Sequence, residues 1–212
     1  PDKLRWKLTQ NGVFLVKSMY VDIINSCIIA RSLHIWKVKV PLKIKVLMWF
    51  VHKQVILIKD NLSKRNWTRS WRCSFCDHDE SVKHLFLDCP MAKKLWRFMH
   101  IAFNITPPNT IRTLFGTWLD GLQSETAKLI HVGVCSLLWA IWNCRNHLVF
   151  NRTIHIHFLQ VIIRATTLLR MCSLLTLTDA KERMVTRSIR WETVARAIFN
   201  PFGWWSCNST GV

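Results

Sequence analysis

Apolar positions change their spacing several times along the chain, and each change marks a predicted element. In "WKLTQNGVFLVKSMY" two short strand-like runs flank Asn11-Gly12, a dipeptide suited to a tight turn because both residues tolerate positive φ, so the pattern predicts a small N-terminal β-hairpin. Ser18 is placed to cap a short helix ending near Asn25. In "IWKVKVPLKIKVLMWFVHKQV" the spacing becomes helical: Pro41 fits a first turn, and Ile44, Leu47, Met48 and Val51 share one face of a helix reaching about Lys53. A short helix follows over about 58–65, and "SVKHLFLD" can form about two turns started by Ser81.

Pro90 opens a further helix, with Leu95, Met99 and Ala102 in one stripe. "NITPPNT" (104–110) interrupts the pattern, because Pro107 forces its predecessor out of helical geometry and Pro108 prolongs the break. Beyond it the spacing predicts helices over about 110–119, 124–150, 154–175 and 179–198. The fold expected is therefore mainly α with a small N-terminal β-hairpin: a cysteine-bearing module over 1–104, then a helical extension over 105–198.

Composition sharpens this picture through charge. The 212 residues carry 30 Lys and Arg against 12 Asp and Glu, a formal +18, which exceeds what solubility needs and points to a polyanionic partner, with nucleic acid foremost. The excess is uneven, since residues 1–72 hold 15 basic and 3 acidic residues. Lys37, Lys39, Lys43 and Lys45, next to Trp36 and Trp49, form the candidate nucleic-acid surface. Contact there would be non-specific to RNA or DNA, because lysine is a point charge that positions phosphates without reading bases. Trp49, Trp139 and Trp142 at helical spacing are expected to be packing residues.

No signal-peptide pattern opens the chain, so an intracellular location, nucleus or cytoplasm, is expected. The most apolar run, 129–142, falls short of the ~20 residues a bilayer requires and reads as a buried helix, with no membrane partner. Enzymatic readings find little support: no Gly-rich phosphate loop, no G-x-S-x-G elbow and no close carboxylate pair occur, and His34, His52 and His100 stand isolated. No catalytic residue is assigned.

The chemistry concentrates in "CSFCDHDESVKHLFLDCP", residues 73–90. Cys73 and Cys76 make a C-x2-C knuckle, and His84 and Cys89 complete a Cys₃His set that fits one structural Zn²⁺ with no open position for substrate. Cys89 lies five residues past His84, so an unbroken α-helix would turn it away; Pro90 is expected to end one element and start the next, leaving Cys89 at a helix N-terminus. His78, two residues from Cys76, reaches the same tetrahedron poorly. A redox pair would need a strand before and a helix directly after, which the "DHDES" loop does not offer; plain burial of unliganded thiols is the remaining alternative. Cys27, Cys135, Cys144, Cys172 and Cys207 lack ligand spacing and read as small buried residues.

The order W-x5-G-x-F-x-VKS-x-Y, "IWKVKVPLKIKVLMW", "DNLSKRN" and "CSFC…VKHLFLDCPMAKKLW", over about residues 6–96, resembles the reverse transcriptase zinc-binding domain found downstream of the polymerase in plant LINE-type, non-LTR retrotransposons. The resemblance places that family's ligands on Cys73, Cys76, His84 and Cys89. "LLWAIWNCRNHLVFN" (137–151) is similar to the W-x-x-W-x-x-RN-x-x-x-F helix that follows this domain in such elements. The last residues, 199–212, resemble a truncated first strand of an RNase H domain, with Thr210 where the first metal-binding aspartate would stand, so the resemblance implies no RNase H activity. It implies a retroelement remnant that has lost its polymerase and RNase H neighbours, acting as a non-catalytic zinc-binding accessory domain on nucleic acid. The alternative expectation is a structural or protein-interaction module, or a remnant without function.

Overall fold

The structure, a computed structural model, describes residues 5–13, 15, 17–18, 35–66, 70–115, 117–150 and 156–202. The chain forms two compact units, Pro1–Lys37 and Val38–Val212.

In the first unit the expected hairpin is not formed; no strand occurs among the described residues. A turn does close here, by a bond from the Gly12 N–H to the Thr9 carbonyl (3.1 Å), which puts Gln10 and Asn11 at its centre and leaves Gly12, at φ +70°, as the positive-φ residue. Side chains then take the backbone groups a ladder would need: the Thr9 hydroxyl donates to the Val13 carbonyl (2.7 Å), and Asn11 Oδ1 accepts from the Val13 N–H (3.2 Å). Leu8, Val13 and Leu15 are exposed, so the alternating apolar positions find no surface to pack on, and an isolated two-stranded ribbon is marginal without one. Ser18 accepts from the Trp6 indole (2.8 Å) and donates to the Leu15 carbonyl (2.7 Å). The rest of the helix expected to follow it lies outside the described residues.

The second unit is helical. Its elements are α1 (Leu42–Lys53), α2 (Lys59–Ser63), a π-helical turn (His84–Asp88), α3 (Pro90–Phe103), α4 (Ile111–Leu114), a 3₁₀ turn (Thr117–Leu119), α5 (Ser124–Phe150), α6 (Phe158–Ser173) and α7 (Thr178–Phe202). α1 buries the four residues its spacing selected, Ile44, Leu47, Met48 and Val51, and its C-cap Gln54 adopts left-handed geometry (φ 57°). Thr110 caps α4 through a reciprocal box with Thr113. α5 is the central element and packs on α1 and α6. By length and composition it is apolar enough to cross a bilayer, but 67% of its most apolar stretch is buried inside the protein, as befits a core helix. Gly133 on α5 sits where an added Cβ would lie 3.2 Å from the Met99 methyl of α3, so the side chains of α3 settle directly on its backbone.

α7 is polar around most of its surface but buries Met184, Ser188, Trp191 and Ala195, spaced for one stripe. Trp191 meets Phe103 of α3 edge-on at 5.6 Å, while Phe98 of α3 meets Phe158 of α6 at 4.9 Å, closing α3, α6 and α7 into one core. Among the described residues, Trp96 and Trp191 are the tryptophans fully enclosed. Trp49, Trp139 and Trp142 are half-buried, the last two under cations: Lys43 Nζ lies 5.4 Å from the Trp139 ring and the Arg145 guanidinium 5.4 Å from the Trp142 ring.

One buried ion pair ties α5 to the cysteine-bearing module. Arg145 donates through Nη2 to Glu80 Oε1 (2.6 Å) and through Nε to Oε2 (3.2 Å), with both side chains at most 1% exposed. Glu80 Oε1 also accepts the Lys59 N–H at the start of α2 (2.9 Å). A lone charge left in this position would be uncompensated, so Arg145→Met is expected to cost about 3–5 kcal/mol. The double variant Glu80→Gln/Arg145→Met keeps an acceptor for Lys59 and should regain much of that loss. Urea unfolding of the three proteins checks this; a single variant within about 1 kcal/mol of the parent would show that the pair is not a pin.

Candidate metal centre

The knuckle is shaped by a short backbone ribbon. The Cys73 N–H donates to the His78 carbonyl (2.7 Å) and the Glu80 N–H to the Trp71 carbonyl (2.9 Å), flanking an isolated antiparallel bridge between Arg72 and Asp79. The β-type pairing of the described residues is therefore here, around the cysteines. Within the loop the Phe75 N–H points at Cys73 Sγ (3.4 Å), and the His78 N–H bonds Cys76 in the same i+2 relation. Those donors stabilise thiolate sulfur.

His84 and Cys89 come from the other side. Ser81 Oγ accepts the His84 N–H (3.0 Å) and starts the segment, as the spacing predicts. From His84 to Asp88 the backbone then widens into a π turn, marked by the bond from the Cys89 N–H to the His84 carbonyl (2.7 Å). At about 4.4 residues per turn, residue i+5 returns close to the face of residue i, whereas α geometry would carry it well past. The π turn thus solves the register problem, and Pro90 completes the solution: Cys89 is the extended N-cap of α3 (ψ 138°) with proline at the first helical position. Proline also deprives the Phe86 carbonyl of its α-helical donor, and the buried Trp96 indole supplies one instead (2.8 Å).

The result is four ligand atoms, of Cys73, Cys76, His84 and Cys89, all within 4.8 Å of one another. Sulfur separations are 4.0 Å for Cys73–Cys89 and 3.8 Å for Cys76–Cys89, and Cys76 Sγ lies 3.1 Å from His84 Nε2. A tetrahedron with Zn–S near 2.3 Å has edges of ~3.8 Å, so the set fits one zinc ion. Two of the ligands are buried and two half-buried, and all four positions are filled by protein, the closed form of a structural site. Without a cation the cluster resists ionisation: hydrogen bonding with Cys89, then burial, pushes the Cys73 thiol up, and burial does the same to Cys76. A divalent ion reverses that preference by holding thiolates. His78 is outside the set; its ring stacks on His84 at 5.7 Å and braces it.

Of the four lysines, Lys43 and Lys45 do not share a face. Lys37 is exposed in the first unit. In the second, Lys39 and Lys43 are exposed and Lys45 is half-buried, and Lys43 and Lys45 stand two residues apart on α1, which turns them about 200° from each other. Cys135, Cys144 and Cys172 are buried free thiols, raised by burial to about 12, 11 and 11, in keeping with packing roles; Cys27 and Cys207 lie outside the described residues, as do His34 and the stretch 203–212. His52 is half-buried against Phe115 (5.5 Å), and burial, then the nearby Lys53 and Arg112 charges, lower its pKa. Sequence reasoning missed Glu80 and Arg145. The "RN" of the 137–151 motif was the available signal, but nothing along the chain pairs it with an acid 65 residues earlier.

Comparison with known proteins agrees with the site. Residues 14–96 match the family described as zinc-binding in reverse transcriptase. A protein of Arabidopsis thaliana named as a ribonuclease H protein is 33% identical over 101 residues, covering 45% of this chain and 16% of the relative. The chain thus spans about one sixth of that relative's length. No solved structure matches.

Reduced, purified protein is expected to carry one zinc per chain, and cobalt substitution should give the intense visible bands of tetrahedral thiolate coordination. Cys76→Ser and His84→Ala should each weaken metal retention and lower the melting temperature. A zinc-free protein that melts as the parent does would rule out the structural ion.

Proposed function

We propose that the chain, whose residues 14–96 match the family described as zinc-binding in reverse transcriptase, is a non-catalytic accessory module of a retrotransposon-derived protein that holds RNA or DNA through phosphate contacts. The observation that carries this reading is the charge distribution, 15 basic residues against 3 acidic in the first 72. A closed zinc site supports the non-catalytic role, because a four-ligand tetrahedron leaves no place for water or substrate. In such a module the ion fixes the fold while dispersed cations supply affinity. The basic residues are spread over several elements, which suits contact with a backbone in many registers.

Binding should fall steeply with salt, because each neutralised phosphate releases counterions. Anisotropy of labelled single-stranded RNA and duplex DNA between 50 and 200 mM salt, about the range over which several phosphate contacts cost 10³-fold or more, tests it. Flat or absent binding would end the nucleic-acid reading.

A second reading rests on a specific feature. The end of α6 and the turn joining it to α7 expose Met171, Leu174, Leu175 and Leu177, the last at 86%. A cluster of this kind suits docking on another protein domain. It predicts concentration-dependent self-association of the isolated chain that Leu174→Glu/Leu177→Glu suppresses; sedimentation showing a monodisperse parent at all concentrations would dismiss it.

A further inference from the structure

The exposed side of α3 forms one wall of a cleft of about 310 Å³, closed opposite by the segment running through Pro107. Lys93, Arg97 and His100 line it, at i, i+4 and i+7 on one helix face, so three nitrogen-bearing side chains follow one another at steps of ~6 and ~4.5 Å. Lys93 and Arg97 form no ion pair among the described residues, and no carboxylate lines the cleft. The floor is apolar: Pro107 is exposed there, and the buried Leu87, Trp96 and Pro108 reach it only at their edges. His100 is held in place by its Nδ1, 2.8 Å from the Ile105 carbonyl oxygen, which leaves Nε2 as the ring nitrogen available to a ligand.

We infer that this cleft is a binding subsite for one nucleotide of a single-stranded nucleic acid, with phosphate on Lys93 and Arg97 and the base lying over the apolar floor. The inference rests on the nucleic-acid reading above and gives it a place distinct from the lysines at 37–45. Two cations without counter-charges attract an anion, but an inorganic anion or a carboxylate would leave the floor wetted and unused. A flat, partly apolar group attached to a phosphate satisfies both surfaces. The volume stands at the small end for a ligand site, on the scale of a single nucleotide. Position adds a coupling: Leu87 belongs to the π turn between His84 and Cys89, and α3 begins at Pro90 directly after Cys89, so the metal ligands flank both the floor residue Leu87 and the start of the α3 wall.

The test uses the full zinc-loaded chain, a labelled oligouridylate, an abasic strand with the same number of phosphates and a duplex of equal length. For the parent, the oligouridylate should bind several-fold more tightly than the abasic strand. Lys93→Gln/Arg97→Gln should weaken oligouridylate binding about tenfold and lower the salt slope by about 1.4, two single-strand phosphate contacts at 0.7 each. Zinc content and circular dichroism should stay unchanged in that variant, whose altered side chains are exposed. Lys39→Gln/Lys43→Gln provides the comparison. If the parent binds with a steep salt slope but Lys93→Gln/Arg97→Gln matches it, or if the abasic strand binds as well as the oligouridylate, the subsite is overturned and the general reading stands. If the parent binds no nucleic acid, both fail.

Discussion

The Arg145 guanidinium lies out of water against the Glu80 carboxylate, and the joint between the knuckle and the helices depends on that contact. Burying two charges costs several kcal/mol each, which only close geometry and full hydrogen bonding offset. Both conditions are met: the guanidinium fork engages both carboxylate oxygens, its remaining edge reaches Asn146 Oδ1 (3.1 Å), and the Trp142 ring covers its face. On the other side Glu80 takes the first N–H of α2 and lends its own backbone to the ribbon that shapes the knuckle. One carboxylate thus fixes α2, the cysteine loop and α5 together. A lysine at 145 would not replace this fork.

The metal cluster depends on a second local constraint, the five-residue spacing of His84 and Cys89. A π turn is poorly packed and rare in isolation, and it persists here because its neighbours satisfy what it leaves open. Trp96 donates to the Phe86 carbonyl, Cys89 closes the turn on His84, and Pro90 starts α3 with no N–H to waste. Leu85, Phe86 and Leu87 of the turn are buried, so its side chains anchor it in the core while its ends carry ligands. Coordination and packing are the same event in this segment.

Helices α5, α6 and α7 give the module its bulk, and their surfaces divide the chemistry. The concealed faces hold the aromatic contacts and the inert thiols, while exposed cations lie on α1, α3, the loops between and the outer faces of α6 and α7. The second unit, residues 38–212, carries 24 Lys and Arg against 10 Asp and Glu, so its net charge is positive like that of the first. The half-buried Arg170–Glu192 pair (2.8 Å) links α6 to α7 and leaves the α6–α7 turn beyond it apolar and bare.

By itself the sequence determined the features set by short-range spacing. The four buried positions of α1, the start of α3 at Pro90, the length of α5 and the four ligands were all legible, because helix period, proline stereochemistry and zinc-ligand spacing act within a few residues. The Asn11-Gly12 signal was legible and still did not yield a hairpin, since local side-chain bonds and the lack of a surface for Leu8, Val13 and Leu15 outweighed the turn preference. Only the tertiary structure decided that α geometry gives way to a π turn at His84 and that Arg145 seeks Glu80. Those outcomes depend on where a buried group finds its partner, and a charge or carbonyl removed from water is satisfied by whatever the fold brings within hydrogen-bond reach, however far along the chain it lies.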